Sequence, residues 1–326
     1  MAFSASYDFT ITRDDIIAAA LRKLVVLGEG QTPTTNQVTT AAQALNVMLK
    51  AFKADGLPLW YVRTGYIYPI HNTNTYNLYR NASGGHWSDE LILTKLTAAS
   101  AASDTTIDVS ITAADDVTGT TVNADNVGIE LDDGTMHWTT ISSGGGTATL
   151  TLTTGVASAA STGNRVYAYT NKGYRPEAVL DVFRVHAESQ NRIKLDATPL
   201  ANYFALGNLH TESTPITWNY QETVSAVPGS EPGTFRFWPR FSNGDEYFEL
   251  RYVQPYDDMD ESTNNLSFPD TWYEAIIYGL ALRLSDEYSV PDNIYKRIQG
   301  GAVASKVIAE SSTTEGNSIY VMPETR

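Results

Sequence analysis

The chain has 326 residues, of which 42% are hydrophobic and 11% aromatic, which is enough apolar material for packed cores and too much for a wholly disordered protein. Its formal net charge of -15 at pH 7 argues against a protein that grips nucleic acid by its phosphates, because such binding needs clustered Lys and Arg. There is no cysteine, which excludes disulfides and thiolate chemistry. Neither a signal peptide nor an apolar run of about 20 residues is visible, so we expect a cytoplasmically made protein without a membrane anchor.

The first ninety residues begin with two predicted helices. Thr12 and Asp15 have the spacing of a capping box at a helix N-terminus. Apolar residues then recur at helical spacing over 14–27 and again over 35–55, with a Gly- and Pro-containing turn between the two runs. This pattern predicts an αα-hairpin. Alternating aromatic and β-branched residues over 60–70 predict a strand after it.

The composition changes between residues 94 and 170, where more than half of the residues are Ser, Thr, Ala or Gly. Five short β-patterned segments lie there, at 106–111, 127–131, 136–141, 147–153 and 166–169, separated by Gly-containing turns. Such short strands at near-regular spacing predict a small antiparallel sandwich or barrel. A disordered linker is the alternative, and the interspersed aliphatic residues with Trp138 and Tyr167 argue against it.

After residue 171 the mixed, aromatic composition returns. The patterns predict strands over 178–186 and 217–222, with a short helix over 198–206. An Asn243-Gly244 dipeptide lies between two apolar runs at 235–238 and 247–252, which predicts that these runs pair as a hairpin. Pro269 then begins a helix predicted to reach residue 288, and Pro291 begins a final helix through 309 that Gly300 and Gly301 weaken.

These elements predict an α+β fold in which one domain interrupts another. The discontinuous core domain is expected to combine 1–93 with 171–310. This domain is expected to consist of a helical part and a β-hairpin and sheet portion. The inserted all-β domain, sandwich or barrel-like, is expected at 94–170. The last segment, 311–326, is a polar stretch followed by a short apolar patch, and we expect it to order only on a partner.

Motifs for cofactor, metal or nucleophile chemistry are incomplete in this sequence. Gly28-Glu29-Gly30 is followed by Pro33 where a dinucleotide fingerprint needs glycine, and the glycines at 144–146 lack the lysine of a phosphate loop. Asp258 and Asp260 resemble the start of a calcium loop whose later ligand positions are absent. We therefore predict no cofactor, no metal site and no enzymatic activity. Pairs of carboxylates stay open, because sequence does not give their separation in space.

Four segments together resemble the head-to-tail adaptor proteins of short-tailed bacteriophages. They are Ala20 to Leu24, Leu45 to Trp60, Phe237-Trp238-Pro239, and the helix end Leu280 to Tyr288. The resemblance covers roughly 9–78 and 174–309. The segment 94–170 has no counterpart in the simpler members of that family.

The resemblance implies a structural protein of the virion neck, assembled in the host cytoplasm. The subunits would form a homo-oligomeric ring with the twelvefold symmetry of the portal protein, extend its channel and bridge to the tail nozzle protein, while packaged DNA passes without sequence-specific binding. The expected portal-docking residues are Ile319, Tyr320, Val321 and Met322. Two alternatives stay open, a receptor-binding or decoration protein of the virion surface that works through the β-domain, and a virion-associated cell-wall hydrolase.

Overall fold

A computed structural model describes residues 9–54, 61–80, 85–110, 124–222, 233–242, 244–255, 258–265 and 268–312. The protein is mixed α+β, as predicted. It divides into a helical unit, Met1–Trp60 with Tyr256–Arg326, and a β unit, Tyr61–Pro255. The predicted insertion boundaries at residues 94 and 170 both lie within the β unit, and a separate inserted domain stays a prediction.

Five helices lie within the described ranges. They are α1 (Arg13–Lys23), α2 (Thr35–Ala54), α3 (Leu200–Phe204), α4 (Tyr273–Leu284) and α5 (Asp292–Ser312), with a 3-10 turn (Asp270–Trp272) before α4. All except α3 belong to the helical unit. In that unit α4 is central, since it packs against α1, α2 and α5.

The predicted starts of α1 and of the helix after Pro269 are confirmed. At α1 the Asp15 backbone N–H donates to Thr12 Oγ1 and the Thr12 backbone N–H donates to Asp15 Oδ2, each at 3.3 Å, which completes the capping box. The helix that was predicted to begin at Pro269 is present as the 3-10 turn followed by α4. The final helix is continuous through Gly300 and Gly301. A Cβ at Gly301 would lie 2.6 Å from the Tyr278 ring of α4, so the close approach of the two helices requires glycine there. A helix-weakening residue thus permits a close contact between helices.

Fifteen strands are found in the described part of the β unit. They are β1 (Val62–Ile67), β2 (Thr75–Leu78), β3 (Trp87–Ser88), β4 (Ile92–Lys95), β5 (Thr106–Asp108), β6 (Asn126–Glu130), β7 (Met136–Ser143), β8 (Thr149–Leu152), β9 (Arg165–Tyr169), β10 (Ala178–His186), β11 (Arg192–Lys194), β12 (Asp196–Ala197), β13 (Thr217–Glu222), β14 (Gly233–Trp238) and β15 (Glu246–Val253). A five-stranded sheet has the order β11-β10-β15-β1-β3 and a four-stranded sheet the order β12-β13-β14-β2. Their inner faces share an aromatic core that includes Trp87, Phe235, Phe237 and Phe248.

The predicted hairpin of β14 and β15 is wrong. β14 pairs with β13 and β2, whereas β15 pairs with β1 and β10 in the other sheet. The two strands face each other across the core, where the Phe237 and Phe248 ring centroids are 4.7 Å apart. Phe241, in the link between the two strands, is buried in the same core. Because the strands belong to different sheets, this link is not a two-residue hairpin turn. Burial of three phenylalanines outweighs the local turn signal of Asn-Gly, whose Asn243 lies outside the described residues.

The Ser- and Thr-rich segment forms a six-stranded antiparallel sheet of order β4-β9-β6-β7-β8-β5. Its outer strands meet, because the Ser110 N–H donates to the Lys95 carbonyl and the Thr97 N–H donates to the Asp108 carbonyl, both at 2.9 Å. The sheet therefore curls into a barrel-like shape around its own aliphatic core, which includes Val127, Ile129, Leu150 and Val166. Four-residue turns place Gly134 and Gly144 at φ 81° and 85°, where glycine is favoured.

Aromatic side chains pack between this sheet and the five-stranded sheet. They include Tyr68, Tyr167, Tyr169, Tyr247 and the partly buried Trp138. The rings of Tyr68 and Tyr169 are stacked with centroids 5.2 Å apart, and Tyr247 meets Tyr167 edge to face. The six-stranded sheet is thus joined to the rest of the β unit by a second, aromatic core.

An ionic cluster lies beside that aromatic core. The Arg165 guanidinium of β9 pairs with Glu130 at 2.9 Å and with Asp245, which precedes β15. The Arg165 side chain is 15% exposed and that of Glu130 12%, so little water is present to replace these partners. Arg165 therefore connects the six-stranded sheet to the five-stranded sheet through charge-assisted hydrogen bonds.

Candidate functional site

The outward side of α5 is apolar over the second half of the helix. Val303, Val307 and Ile308 are 61%, 59% and 64% exposed, although large aliphatic side chains are usually buried. Gly300 and Ala304 fall on the same side at helical spacing and are exposed too. We call these five residues, Gly300, Val303, Ala304, Val307 and Ile308, the α5 face.

The opposite side of the same helix is anchored in the helical unit. Ile298 and Ala309 are fully buried, and Ser305 donates from Oγ to the Gly301 carbonyl at 2.7 Å. At the edge of the α5 face, Lys306 Nζ lies 3.7 Å from a Glu310 carboxylate oxygen and 5.4 Å from the centroid of the Phe52 ring of α2. The α5 face is therefore exposed on a well-packed helix.

Exposed apolar patches bordered by polar residues are typical of protein–protein contact surfaces. The α5 face has exposed polar neighbours at Lys296, Gln299 and Glu310. Its residues recur at the i, i+3, i+4 and i+7 positions by which a helix packs into an apolar groove or against another helix. This surface can bind another protein by burying its aliphatic side chains.

The predicted docking residues Ile319, Tyr320, Val321 and Met322 lie outside the described residues. The start of the predicted tail is described, because Ser311 and Ser312 are the last two residues of α5. The α5 face is thus the described surface that immediately precedes the tail in sequence.

The acidic loop before Pro269 has a structural role. Asp258 forms an ion pair with Lys50 of α2 at 3.0 Å, and the Asp260 carbonyl accepts a hydrogen bond from Arg13 Nη1 of α1 at 2.5 Å. The Met259 backbone N–H donates to Asn46 Oδ1 at 2.9 Å. The loop therefore connects the N-terminal helix pair to the C-terminal part of the helical unit.

Across the described residues no group of three or more metal-ligating side chains is assembled, in this loop or elsewhere.

The side chain of His86 packs against aromatic rings. Its ring is stacked on Trp138 with centroids 3.9 Å apart, and its Nδ1 lies 2.7 Å from the Tyr169 hydroxyl. Burial lowers the pKa of His86 to about 3, with a smaller contribution from the charge of Lys172. Packing of the neutral imidazole against aromatic rings is therefore the main cause of this lowered pKa.

Sequence reasoning missed the α5 face. The buried positions of α5 are 298, 305 and 309, whereas Val303 and Val307 fall on a second stripe offset from that one. Two apolar stripes on opposite sides of a terminal helix were the available signal, because only one of them can face the core of its own subunit.

No protein-family model matches the chain, and no curated protein matches it significantly. Among the described residues, no helix has both the length and the apolar content that crossing a membrane requires.

Proposed function

We propose that this protein is a structural virion protein, a head-to-tail adaptor that forms a ring under the portal, extends its DNA channel and bridges to the tail nozzle. The observation that carries the proposal is the α5 face, a contiguous apolar surface on a helix whose other side is already packed. Such a surface is expected of a subunit that is completed by another protein.

The helical unit supports the proposal because it brings together three of the four segments on which the resemblance to adaptors depends, whereas Phe237-Trp238-Pro239 lies in the β unit. Part of the Leu45 to Trp60 segment lies on α2, and the Leu280 to Tyr288 segment begins on α4. α4 packs against both α1 and α2, so these segments from the two ends of the chain build one structure. Identical helical units placed side by side about a closed symmetry axis give a ring.

The charge of the chain suits a conduit for DNA. A net charge of -15 disfavours tight contacts with phosphates, which would slow DNA as it slides through a channel. Packaged DNA is proposed to pass without sequence-specific binding, and neither a cofactor nor a catalytic step is needed for this role.

The C-terminal segment is proposed to secure the ring to the portal through Ile319, Tyr320, Val321 and Met322. Truncation after Thr313 should leave the free energy of unfolding of the monomer nearly unchanged and weaken portal binding at least about tenfold, or about 1.4 kcal/mol. Titration of purified portal rings with full-length and truncated protein measures this. Equal affinities would remove the tail from the docking site, without affecting the proposed role of the α5 face.

The proposal as a whole is tested by mixing the full chain with portal rings of the virus that encodes it and measuring the mass of the complex. We expect a complex whose subunit number follows the portal symmetry. Binding to host cells with no assembly on portal rings would instead indicate a receptor-binding protein. Loss of turbidity in a peptidoglycan suspension would indicate a hydrolase.

A further inference from the structure

Half of β13 has an open edge. β14 pairs with β13 along its whole length, whereas β12 covers only Thr217 and Trp218 on the other side. The Thr198 N–H donates to the Trp218 carbonyl at 2.7 Å on that side. Because backbone groups alternate along a strand, those of Tyr220 and Glu222 point the same way. No described strand pairs with them there, and an open edge of this kind is a template for another chain.

A groove runs along this edge. Its volume is about 460 Å³, within the range of ligand-binding clefts. One wall is formed by the start of β10, and residues of β13 form another. The lining residues are Glu177, Ala178 and Val179 at the start of β10, Trp218, Asn219, Tyr220 and Glu222 of β13, and Ala197, Thr198 and Pro199 at and after the end of β12. The Tyr220 hydroxyl donates to the Pro176 carbonyl, so the Tyr220 side chain connects the two walls. The groove therefore has a formed base beside an unpaired strand edge.

The groove favours a positively charged occupant. The carboxylates of Glu177 and Glu222 line it, and no Lys or Arg is among its described lining residues. Burial raises the pKa of the Tyr220 hydroxyl, the charge of Glu222 raises it further, Arg175 lowers it, and Glu177 adds a smaller increase. Asn219 Oδ1 is a buried acceptor without a hydrogen-bond partner in the described structure, although its Nδ2 donates to the Thr198 carbonyl at 2.9 Å. The lining thus offers acceptors and negative charge to a ligand that carries donors.

We propose that this groove binds an extended peptide segment with a Lys or Arg side chain, which adds a strand to the open edge of β13. The backbone groups of Tyr220 and Glu222 would pair with the peptide backbone, as in other cases of strand addition. The basic side chain would lie between the carboxylates of Glu177 and Glu222. An extended peptide is the ligand class that uses both the row of backbone groups and the paired carboxylates.

The test uses the full chain and blocked pentapeptides in isothermal titration calorimetry. The basic probe is Ac-Val-Lys-Val-Lys-Val-NH2, and its acidic counterpart has Glu in place of Lys. A third peptide keeps the lysines and carries N-methyl groups on alternate backbone nitrogens, which prevents strand pairing. We expect the basic probe to bind at least tenfold more tightly than either of the other two.

Variants locate the site on the protein. Glu222→Gln should weaken binding of the basic peptide at least fivefold, because it removes one carboxylate from the groove. Glu222 is exposed, so the substitution should leave the fold intact. Glu274→Gln, at an exposed carboxylate on α4, should bind as the unmodified protein does. No binding at millimolar peptide, equal binding of the N-methylated peptide, or an unchanged affinity in Glu222→Gln would each overturn the proposal. Displacement of the peptide by equimolar spermidine would overturn it too, since the groove would then be a site for small cations.

Discussion

The two units differ in where they leave apolar side chains in contact with solvent. In the helical unit, Val303, Val307 and Ile308 are exposed together on one side of α5. In the β unit, exposed apolar residues are scattered over two strands, a short helix and two loops, and Phe204 among them lies with its ring centroid 5.7 Å from the Arg236 guanidinium. Scattered exposed apolar residues are ordinary, whereas a contiguous group indicates a partner. The helical unit therefore has the features of an assembly surface.

The units also differ in how they are held together. The helical unit depends on aliphatic packing around α4, with Leu21, Leu45 and Leu280 fully buried. The β unit depends on buried aromatic rings and on the Arg165 ion pairs between sheets. The first should be most sensitive to a charge in its core, and the second to loss of Arg165 and to acid.

The largest effect is expected from Leu45→Asp in α2. Leu45 is 0% exposed, so the carboxylate would be buried without a partner and the free energy of unfolding should fall by about 3–5 kcal/mol. Val47→Asp on the same helix is the matched control, because Val47 is 59% exposed and its replacement should change stability by less than about 0.5 kcal/mol. Urea unfolding followed by circular dichroism measures both. Similar losses in the two variants would show that α2 is not packed by the side that contains Leu45.

Arg165→Met should have the next largest effect. Removal of the guanidinium leaves Glu130 and Asp245 without their shared cation, and the β unit should lose about 3 kcal/mol. Arg192→Met is the control, since its ion pair with Glu249 at 2.6 Å involves an arginine side chain that is 48% exposed. Such pairs contribute less than about 1 kcal/mol. Equal unfolding midpoints for the two variants would contradict the structural role given to Arg165.

The effect of acid is smaller over any single pH unit. His86 has a pKa of about 3 in the folded protein and about 6.5 when unfolded, so the unfolded state binds more protons between these values. Stability should therefore fall as the pH drops from about 6.5 towards 3, and His86 should contribute up to about 1.4 kcal/mol per pH unit. In His86→Phe this share of the slope should disappear, while the exposed His71→Phe should keep it. Urea unfolding midpoints measured across this pH range test the assignment to His86. Equal slopes of midpoint against pH for His86→Phe and the unmodified protein would refute it.

Local patterns predicted most of the elements but not how they pair. The strands expected at 178–186 and 217–222 are β10 and β13 with the same bounds, because side-chain alternation is a local property. The pairing of β14 and β15 was wrong, since the partners that outcompete a hairpin, β13 and β10, are specified by a core assembled from distant residues. The boundary expected at residue 94 falls inside β4, whose pairing with β9 no compositional change reveals.

The candidate surface was harder to predict than the fold. The apolar residues of α5 were visible in the sequence, but which of them α4 covers depends on the close contact at Gly301. The exposure of Val303 and Val307 follows from that packing and not from their identity. The docking segment predicted from the polar stretch and apolar patch of the tail, Ile319 to Met322, lies outside the described residues.

The most direct test of the adaptor account is portal assembly by the double variant Val303→Asp and Val307→Asp, measured as the number of subunits per portal ring by native mass spectrometry. Both residues are exposed, so the variant should unfold at the same urea concentration as the unmodified protein. Val47→Asp, which is equally exposed but lies on α2, is the control and should assemble fully. The account predicts that the folded double variant fails to form the ring. A complete ring formed by the double variant would contradict it.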